Sequence, residues 1–232
     1  MKSTKQPLIL SLETSTRKGS VAVLRGDEIL AGKAGSEKSS HSAQLLSDIS
    51  EILKKNDLDL KQINLLAVAV GPGSFTGLRI GLSTAKALAA ALKIPIVGIS
   101  TLEAAAACSE RGVKICVVLP AGRNEYFVQI FKESSPDRFE MVSDIEINSA
   151  KNLSEKAAED YNLNWIVSAE IVSIIFDSAK TTTLNYQILP DNLAISVGRI
   201  GHKIFLQGNL FEYQPRPIYV RGADIGVSKN AK

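Results

Sequence analysis

The chain has 232 residues, of which 45% are hydrophobic and 22% charged, and its formal net charge is +3. This balance is typical of a soluble globular protein, and the length suffices for one large domain or two small ones with a buried core. Because the lysines and arginines are scattered along the chain, nucleic-acid binding by the chain alone gains little support. The apolar runs are too short for a bilayer span and no signal-peptide pattern opens the sequence, so we expect a cytoplasmic protein.

The first hundred residues predict a mixed α/β unit. The segment Leu8–Glu13 is apolar at almost every position, as expected of a central strand covered on both faces, and the next two strands are joined by the hairpin dipeptide Gly26–Asp27. Residues Ser40–Lys55 have a 3.6-residue period, with Asp48 and Glu51 on the polar face. The predicted elements are strands Leu8–Glu13, Ser20–Arg25 and Glu28–Lys33, helix Ser40–Lys55, strand Leu65–Val70, helix Thr76–Leu92 and strand Pro95–Ile99.

A second series of elements predicts a second α/β unit. Its members are helix Thr101–Arg111, strands Lys114–Leu119, Glu125–Lys132 and Phe139–Ile147, helix Lys151–Tyr161, strand Trp165–Ser168 and helix Asn192–Gln207. No fixed repeat period is visible, but the two halves show a similar order of elements. We therefore expect an N-terminal domain of residues 1–100 and a C-terminal domain of residues 101–232, whose tail packs back on the first.

The segment GPGSFTGLRIG, Gly71–Gly81, follows a predicted strand and opens a predicted helix. A P-loop needs Lys and then Ser or Thr after its last glycine, whereas Leu78 stands there. A dinucleotide fingerprint needs glycine at the sixth position, which is Thr76, and Pro72 has no amide hydrogen to offer a phosphate. Both standard phosphate motifs fail, which leaves two interpretations: anion binding at a helix N-terminus, or a structural turn with a capped helix.

Small residues recur every four positions along the same helix. Gly77, Gly81, Ala85 and Ala89 leave a flank with almost no side-chain bulk, which allows another element to approach closely. The flank has two interpretations at this point. It packs inside the protein against the sheet or a neighbouring helix, or it forms a surface on which a partner docks.

Candidate catalytic residues are few. His41 and His202 are the only histidines, and Cys108 and Cys116 the only cysteines, so no local cluster of metal ligands can be assembled. Both cysteines are interpreted as buried, reduced thiols, and His41 as a polar residue in the first turn of a helix. Glu13 ends the first strand before three hydroxyl residues, where a carboxylate either holds magnesium or anchors the following turn. We predict no catalytic residue, no cofactor and no metal.

With these pieces in order, the chain resembles the bacterial TsaB (YeaZ) family of tRNA threonylcarbamoyladenosine biosynthesis proteins, often labelled inactive glycoprotease-like or M22 peptidase homologues. The motif GPGSFTGLRIG is highly specific, and the resemblance covers the first hundred residues throughout but is thin from about residue 105 to 210. The matching segments are ILSLETST at 9–16, SVAVL at 20–24, HSAQLL at 41–46, GPGSFTGLRIG at 71–81, GIST at 98–101 and RPIYVR at 216–221.

The resemblance implies an actin, sugar kinase and Hsp70-like (ASKHA) fold of two related α/β domains. It also implies a non-catalytic subunit that binds a metal-binding paralogue, TsaD, which transfers threonylcarbamoyl to the adenosine next to the anticodon in tRNAs reading codons that begin with A. An ATPase, TsaE, joins this pair, and tRNA is contacted only through the complex. The paralogue's metal site uses a His, three residues and another His; here Leu45 stands four residues after His41, so the pair is absent.

The chain departs from the family pattern at three places. Glu13 replaces the usual Asp at the end of the first strand. Pro120, Ala121 and Gly122 precede Arg123, where the family has Asp followed by Ala and Arg. The segment VSAEIV at 167–172 stands where a glycine-rich turn is expected. The last two positions normally contact a nucleotide in this fold, so the resemblance does not extend to nucleotide binding.

The first functional hypothesis is therefore a binding subunit that uses helices Ser40–Lys55 and Thr76–Leu92, and that forms a homodimer through the same surface when alone. The alternative is a nucleotide-dependent phosphotransferase, suggested by the fold and by Glu13. A peptidase is the third, but it lacks both a nucleophile with its base and a set of metal ligands. The predicted partner-binding residues are Leu45, Leu46, Ile49, Ile52, Leu53, Gly77, Arg79, Gly81 and Ala85.

Overall fold

A computed structural model describes residues 6–35, 41–109, 114–135, 138–160, 162–173 and 185–220 of the chain. It contains two mixed sheets, and helices cover their faces. The strands are β1 Leu8–Glu13, β2 Ser20–Arg25, β3 Glu28–Ala34, β4 Leu65–Ala69, β5 Ile96–Ile99, β6 Lys114–Gly122, β7 Glu125–Ser135, β8 Arg138–Met141, β9 Glu146–Ser149, β10 Asn164–Val167 and β11 Asn185–Ile188. The helices are α1 His41–Lys55, α2 Phe75–Leu92, α3 Thr101–Ala106, α4 Ala150–Glu159 and α5 Ala194–Gln207.

The two sheets have the same topology. The first has the order β3-β2-β1-β4-β5, in which β1 pairs antiparallel with β2 and parallel with β4. The second has the order β11-β10-β6-β7-β8, in which β6 pairs antiparallel with β7 and parallel with β10. The central strand β1 is buried at all six positions, as its continuous apolar pattern predicts. Two related α/β units with mixed sheets are thus confirmed.

Three hydrophobic clusters alternate with the sheets. One joins α1 and α2 to the outer face of the first sheet, and another joins α4 to the outer face of the second. The third fills the space between the sheets, where α3 and α5 lie. The cleft that a fold of this kind forms therefore opens where the carboxyl ends of β1, β4 and β6 approach each other.

Helix α5 belongs to the second half of the sequence but packs on the first sheet. A Cβ atom on Gly198 would contact the Leu24 side chain of β2, and one on Gly201 would contact Ala67 of β4. The following segment also returns to the first sheet, since the Gly98 amide donates to the Tyr213 carbonyl at 2.8 Å. The first sheet is thus completed by residues far from it in sequence.

Most predicted elements appear close to their expected bounds, but two predictions are wrong and one strand was not predicted. Helix α3 ends at Ala106 instead of Arg111, because the Cys108 and Ser109 amides bond to carbonyls three residues back and tighten the chain into a turn. The strand predicted at Phe139–Ile147 is two strands, β8 and β9, which pair with different parts of β7. Strand β11 was not predicted. Within the described ranges, no helix has the length and apolarity needed to cross a bilayer.

Candidate functional site

The turn after β1 is held by the carboxylate of Glu13. This side chain is fully buried, and its Oε1 accepts hydrogen bonds from the amides of Ser15 at 2.5 Å and Thr16 at 2.8 Å. The two hydroxyl groups of the same residues donate to Oε1 and Oε2, each at 2.6 Å. Of the two interpretations of Glu13, the anchor is the one that the structure shows, since its lone pairs point at its own turn.

The glycine-rich loop fits closely against this turn. The Ser74 amide donates to the Ser15 carbonyl at 2.8 Å, and Ser74 caps α2 because its hydroxyl accepts from the Gly77 amide at 3.2 Å. A Cβ atom on Gly73 would overlap the Ser15 backbone, and one on Gly77 would overlap the Thr14 carbonyl oxygen. The missing side chains therefore make room for the chain's own β1 turn.

The small-residue flank of α2 packs inside the protein. Gly77, Gly81, Ala85 and Ala89 are all buried, and a Cβ atom on Gly81 would overlap the Thr14 hydroxyl. The Thr14 hydroxyl in turn donates to the Gly77 carbonyl at 2.8 Å. Among the predicted partner-binding residues, Gly77, Gly81 and Ala85 consequently have no surface to offer a partner. Their small size serves close packing against the first sheet.

Most of the predicted contact residues of α1 also lie in the core. Leu45, Ile49, Ile52 and Leu53 are only 4 to 5% exposed and pack in the cluster on the outer face of the first sheet. An amphipathic pattern identifies an apolar face, but it does not distinguish a face that covers the sheet from one that meets a partner. The assignment of these four side chains to partner binding is corrected here.

Two predicted residues remain on the surface. Leu46 is 58% exposed on α1, next to the exposed Ser50 one turn later. On the adjacent α2, small exposed residues follow each other at four-residue spacing, and Arg79 is exposed near the start of the helix. We call this surface the outer α1–α2 face; it comprises Leu46, Ser50, Arg79, Ser83, Ala87 and Ala91.

A cleft of about 880 Å³ lies between the two sheets. The β1 turn and the glycine-rich loop form one wall, and the ends of β6, β10 and β11 form the other. Lys18 Nζ and Asp191 Oδ1 form an ion pair of 2.8 Å that crosses from the β1 turn to the segment before α5. This pair could not be predicted from the sequence, because no local pattern links two residues 173 positions apart.

An aromatic and cationic stack stands at the rim of this cleft. The Arg79 guanidinium lies 3.8 Å from the centre of the Phe75 ring, and the Phe75 and Tyr219 rings are 5.3 Å apart. The preceding Ile218 amide donates to the Val70 carbonyl at 2.7 Å, which fixes the tail beside β4. Tyr219 thus joins the tail to the start of α2.

The remaining candidate residues are a cysteine, Cys116, and the two histidines. Burial raises the pKa of the Cys116 thiol to about 12, which keeps it protonated and unreactive. His202 is buried, with Nδ1 2.9 Å from Asp27 in the β2–β3 turn. The side chain of His41 lies outside the described residues, as does Arg221, the last residue of the matching segment RPIYVR. In the part of the chain that the structure describes, no three His, Cys, Asp or Glu residues are grouped as metal ligands.

Sequence comparisons extend over most of the chain. Residues 29–224 match the family model of TsaD, tRNA N6-adenosine threonylcarbamoyltransferase. The tRNA threonylcarbamoyladenosine biosynthesis protein TsaB of Bacillus subtilis is 28% identical over 225 residues, which are 96% of this chain and 88% of that protein. The protein of the same name from Haemophilus influenzae is 36% identical over 130 residues, 54% of each chain.

Comparison of structures agrees with the sequence. YeaZ from Pseudomonas aeruginosa superposes with a TM-score of 0.75 at 18% identity, covering 92% of this chain and 100% of that one. A polyphosphate/ATP-glucomannokinase from Arthrobacter shares the fold, with a TM-score of 0.51 at 11% identity over 87% of this chain and 99% of the kinase. The ASKHA fold class is thereby confirmed. The chain belongs to the TsaD family of tRNA N6-adenosine threonylcarbamoyltransferases, and within it to the TsaB (YeaZ) proteins.

Proposed function

We propose that this chain is a non-catalytic subunit of a tRNA-modifying complex that threonylcarbamoylates the adenosine next to the anticodon in tRNAs reading codons that begin with A. Its work is to bind and stabilise a TsaD-like, metal-binding paralogue. The relatives named TsaB support the pathway. The observation that carries the binding role is the outer α1–α2 face, where a large leucine stays exposed beside a flat, small-residue helix surface.

The shape of this face suits a helical partner. Ser83, Ala87 and Ala91 are exposed at successive four-residue intervals, so a partner helix can approach the α2 backbone closely. Leu46 is 58% exposed, and burying a leucine side chain contributes about 1.5 to 3 kcal/mol. The buried leucines and isoleucines of α1 hold the helix in place behind this surface. Leu46 and Arg79 are therefore the predicted residues that we retain as direct contacts.

The other partners follow from the same proposal. A TsaE-like ATPase joins the pair, and tRNA is bound only through the assembled complex in the cytoplasm. In the absence of the paralogue, two copies of this chain pair through the outer α1–α2 face, since a two-fold dimer brings the same surface of both copies together and would cover the exposed Leu46.

The test replaces Leu46 with Glu in the full chain and measures co-purification with the TsaD-like paralogue of the same cell. We expect the variant to lose the paralogue, because docking would bury an unpaired carboxylate. Its melting temperature should stay within about 2 °C of the parent, since substitutions at exposed positions change stability little.

Leu206→Glu is the matched control. Leu206 is 67% exposed on α5, away from the proposed face. Its replacement removes an exposed leucine and adds one negative charge, as Leu46→Glu does. This variant should retain the paralogue. Equal co-purification of both variants with the paralogue would show that the outer α1–α2 face does not mediate binding.

A further inference from the structure

The cleft between the sheets is unlike a site for a magnesium nucleotide, the ligand that the fold class suggests. The carboxylate closest to the β1 turn, Glu13, is fully buried and accepts four hydrogen bonds from Ser15 and Thr16. On the opposite wall, strand β6 ends in Pro120, Ala121 and Gly122, which supply no acidic side chain. The acidic residues of that wall are Glu170, after β10, and Asp191, whose carboxylate is paired with Lys18. These residues do not fit a hydrated Mg²⁺, which is held by carboxylates and phosphate oxygens.

The charges along the cleft also disfavour a polyphosphate. The lining contains two basic residues, Arg17 and Lys18, and two acidic ones, Glu170 and Asp191. Lys18 and Asp191 neutralise each other in their ion pair. The formal charge of the lining is therefore zero, whereas sites that bind nucleotide phosphates concentrate positive charge or exposed amides around them.

Apolar side chains dominate both walls instead. Among the large hydrophobic residues of the described chain that stay exposed, Phe75 at 37%, Ile188 at 51% and Tyr219 at 44% all line this one cleft. Leu119 and Phe127 extend the apolar surface inward. Exposed apolar groups that collect in one concave site mark a binding surface, and the volume of about 880 Å³ lies within the usual range for small-molecule sites.

One polar group of the cleft lacks a partner. The hydroxyl oxygen of Ser168, which follows β10, is buried and makes no hydrogen bond within the described structure. An unsatisfied buried hydroxyl is costly, and a ligand that bonds to it removes that cost. Ser168 thus provides a hydrogen-bonding group beside the apolar side chains of the cleft.

From these observations we infer that the cleft between the two sheets binds an uncharged small molecule with an apolar, aromatic-sized body and one hydrogen-bonding group that reaches Ser168. The neutral lining, the exposed apolar side chains and the free hydroxyl each select for this class. No residue of the outer α1–α2 face lines the cleft, and the two surfaces meet where Arg79 stacks on Phe75 at the rim. The cleft therefore adds a second binding function to the proposed docking role.

The test uses N-phenyl-1-naphthylamine, an uncharged fluorescent amine, titrated into the full chain. Saturable one-to-one binding with a blue-shifted emission is expected. The Ile188→Arg variant places a charge in the cleft and should weaken binding at least about tenfold. Ser168→Ala removes one hydrogen bond and should weaken it about twofold to tenfold. Magnesium ATP at millimolar concentration should neither bind nor displace the probe.

Met141→Arg is the matched control, because Met141 is another exposed apolar strand residue, at 72%, and does not line the cleft. It should bind the probe as the parent does. If the circular dichroism spectrum shows that Ile188→Arg is misfolded, Ala121→Trp is used in its place, because the large tryptophan side chain would fill the cleft. Unchanged probe binding in a folded cleft variant, or saturable magnesium-dependent ATP binding, would overturn the inference.

A protein segment as the natural occupant would also overturn it. In that case the TsaD-like paralogue would displace the probe when the complex forms. The cleft inference and the docking proposal fail separately, because Ile188→Arg should still co-purify with the paralogue whereas Leu46→Glu should still bind the probe.

Discussion

At the scale of single residues, the β1 turn explains the glycines of the long motif. Glu13 fixes the backbone of Ser15 and Thr16, and Thr14 bonds to the Gly77 carbonyl. The turn is therefore rigid and cannot withdraw from a side chain on α2. Glycine at position 77 is required by this contact, because a Cβ atom would overlap the Thr14 carbonyl oxygen.

We predict that Gly77→Ala destabilises the protein. In an exposed helix, alanine is better than glycine by about 1 kcal/mol, so propensity alone would raise stability. Overlap with a backbone carbonyl outweighs this gain, and we expect the free energy of unfolding in urea to fall by about 2 kcal/mol. Ala87→Gly, exposed on the same helix, is the control and should lose about 1 kcal/mol by propensity alone. A more stable Gly77→Ala variant would contradict the packing described.

At the scale of elements, charges join the edge strand β3 to α1. Lys33 Nζ lies 2.7 Å from Asp48 Oδ1 and also pairs with Glu51, which accepts from Lys55 at 2.6 Å as well. Asp48 was expected on a solvent-facing side of the helix but is only 5% exposed. Hydrogen bonds from Lys33 and then Lys55 lower the pKa of the Glu51 carboxyl to about 2. The polar side of α1 thus contacts strand β3 through these ion pairs.

This network predicts a pH dependence. The pKa of Glu51 is lower in the folded state than its ordinary value of 4.5, so its stabilising contribution is complete above that value and is lost as the pH falls toward 2. Lys33→Met should therefore reduce the acid-induced loss of stability between pH 4.5 and 2, measured by urea unfolding at each pH. Lys54→Met, exposed on the same helix, should keep the slope of the parent. Equal slopes in both variants would refute the role of Lys33.

At the scale of the whole molecule, the first half of the sequence does not form a complete layer structure alone. The inner face of the first sheet, with Ile9, Ala67 and Val97, is covered by α5, whereas α3 packs on the second sheet. The tail holds the end of β4 through the Ile218 amide, 2.7 Å from the Val70 carbonyl. A boundary near residue 100 separates the two sheets, but it does not separate two independent cores.

We predict that a fragment of residues 1–100 does not fold by itself. Removal of α5 would expose the apolar inner face of the first sheet, at a cost of about 25 cal/mol for each Å² uncovered. The fragment should lack a cooperative thermal transition in circular dichroism and should aggregate in size-exclusion chromatography, unlike the full chain. A cooperative transition and a monomeric elution volume for the fragment would show that residue 100 is a true domain boundary.

The sequence by itself determined the order and type of most elements, since apolar spacing and the Gly26–Asp27 turn act over a few residues. It also identified the family, because GPGSFTGLRIG is long and specific. Only the tertiary structure decided which apolar side chains of α1 were free for a partner, and it left Leu46 outside while Leu45 and Ile49 entered the core.

The same limit applies to the cleft and to the small-residue flank of α2. Phe75, Ser168 and Ile188 share one cavity although about 20 to 110 positions separate them in the chain, and the glycines meet a turn some 60 residues earlier. Hydrophobic periodicity indicates that a surface is buried, but it does not indicate which part of the protein, or which partner, covers that surface. Contacts between distant segments depend on how the sheets and helices pack together, and a local sequence pattern does not contain that information.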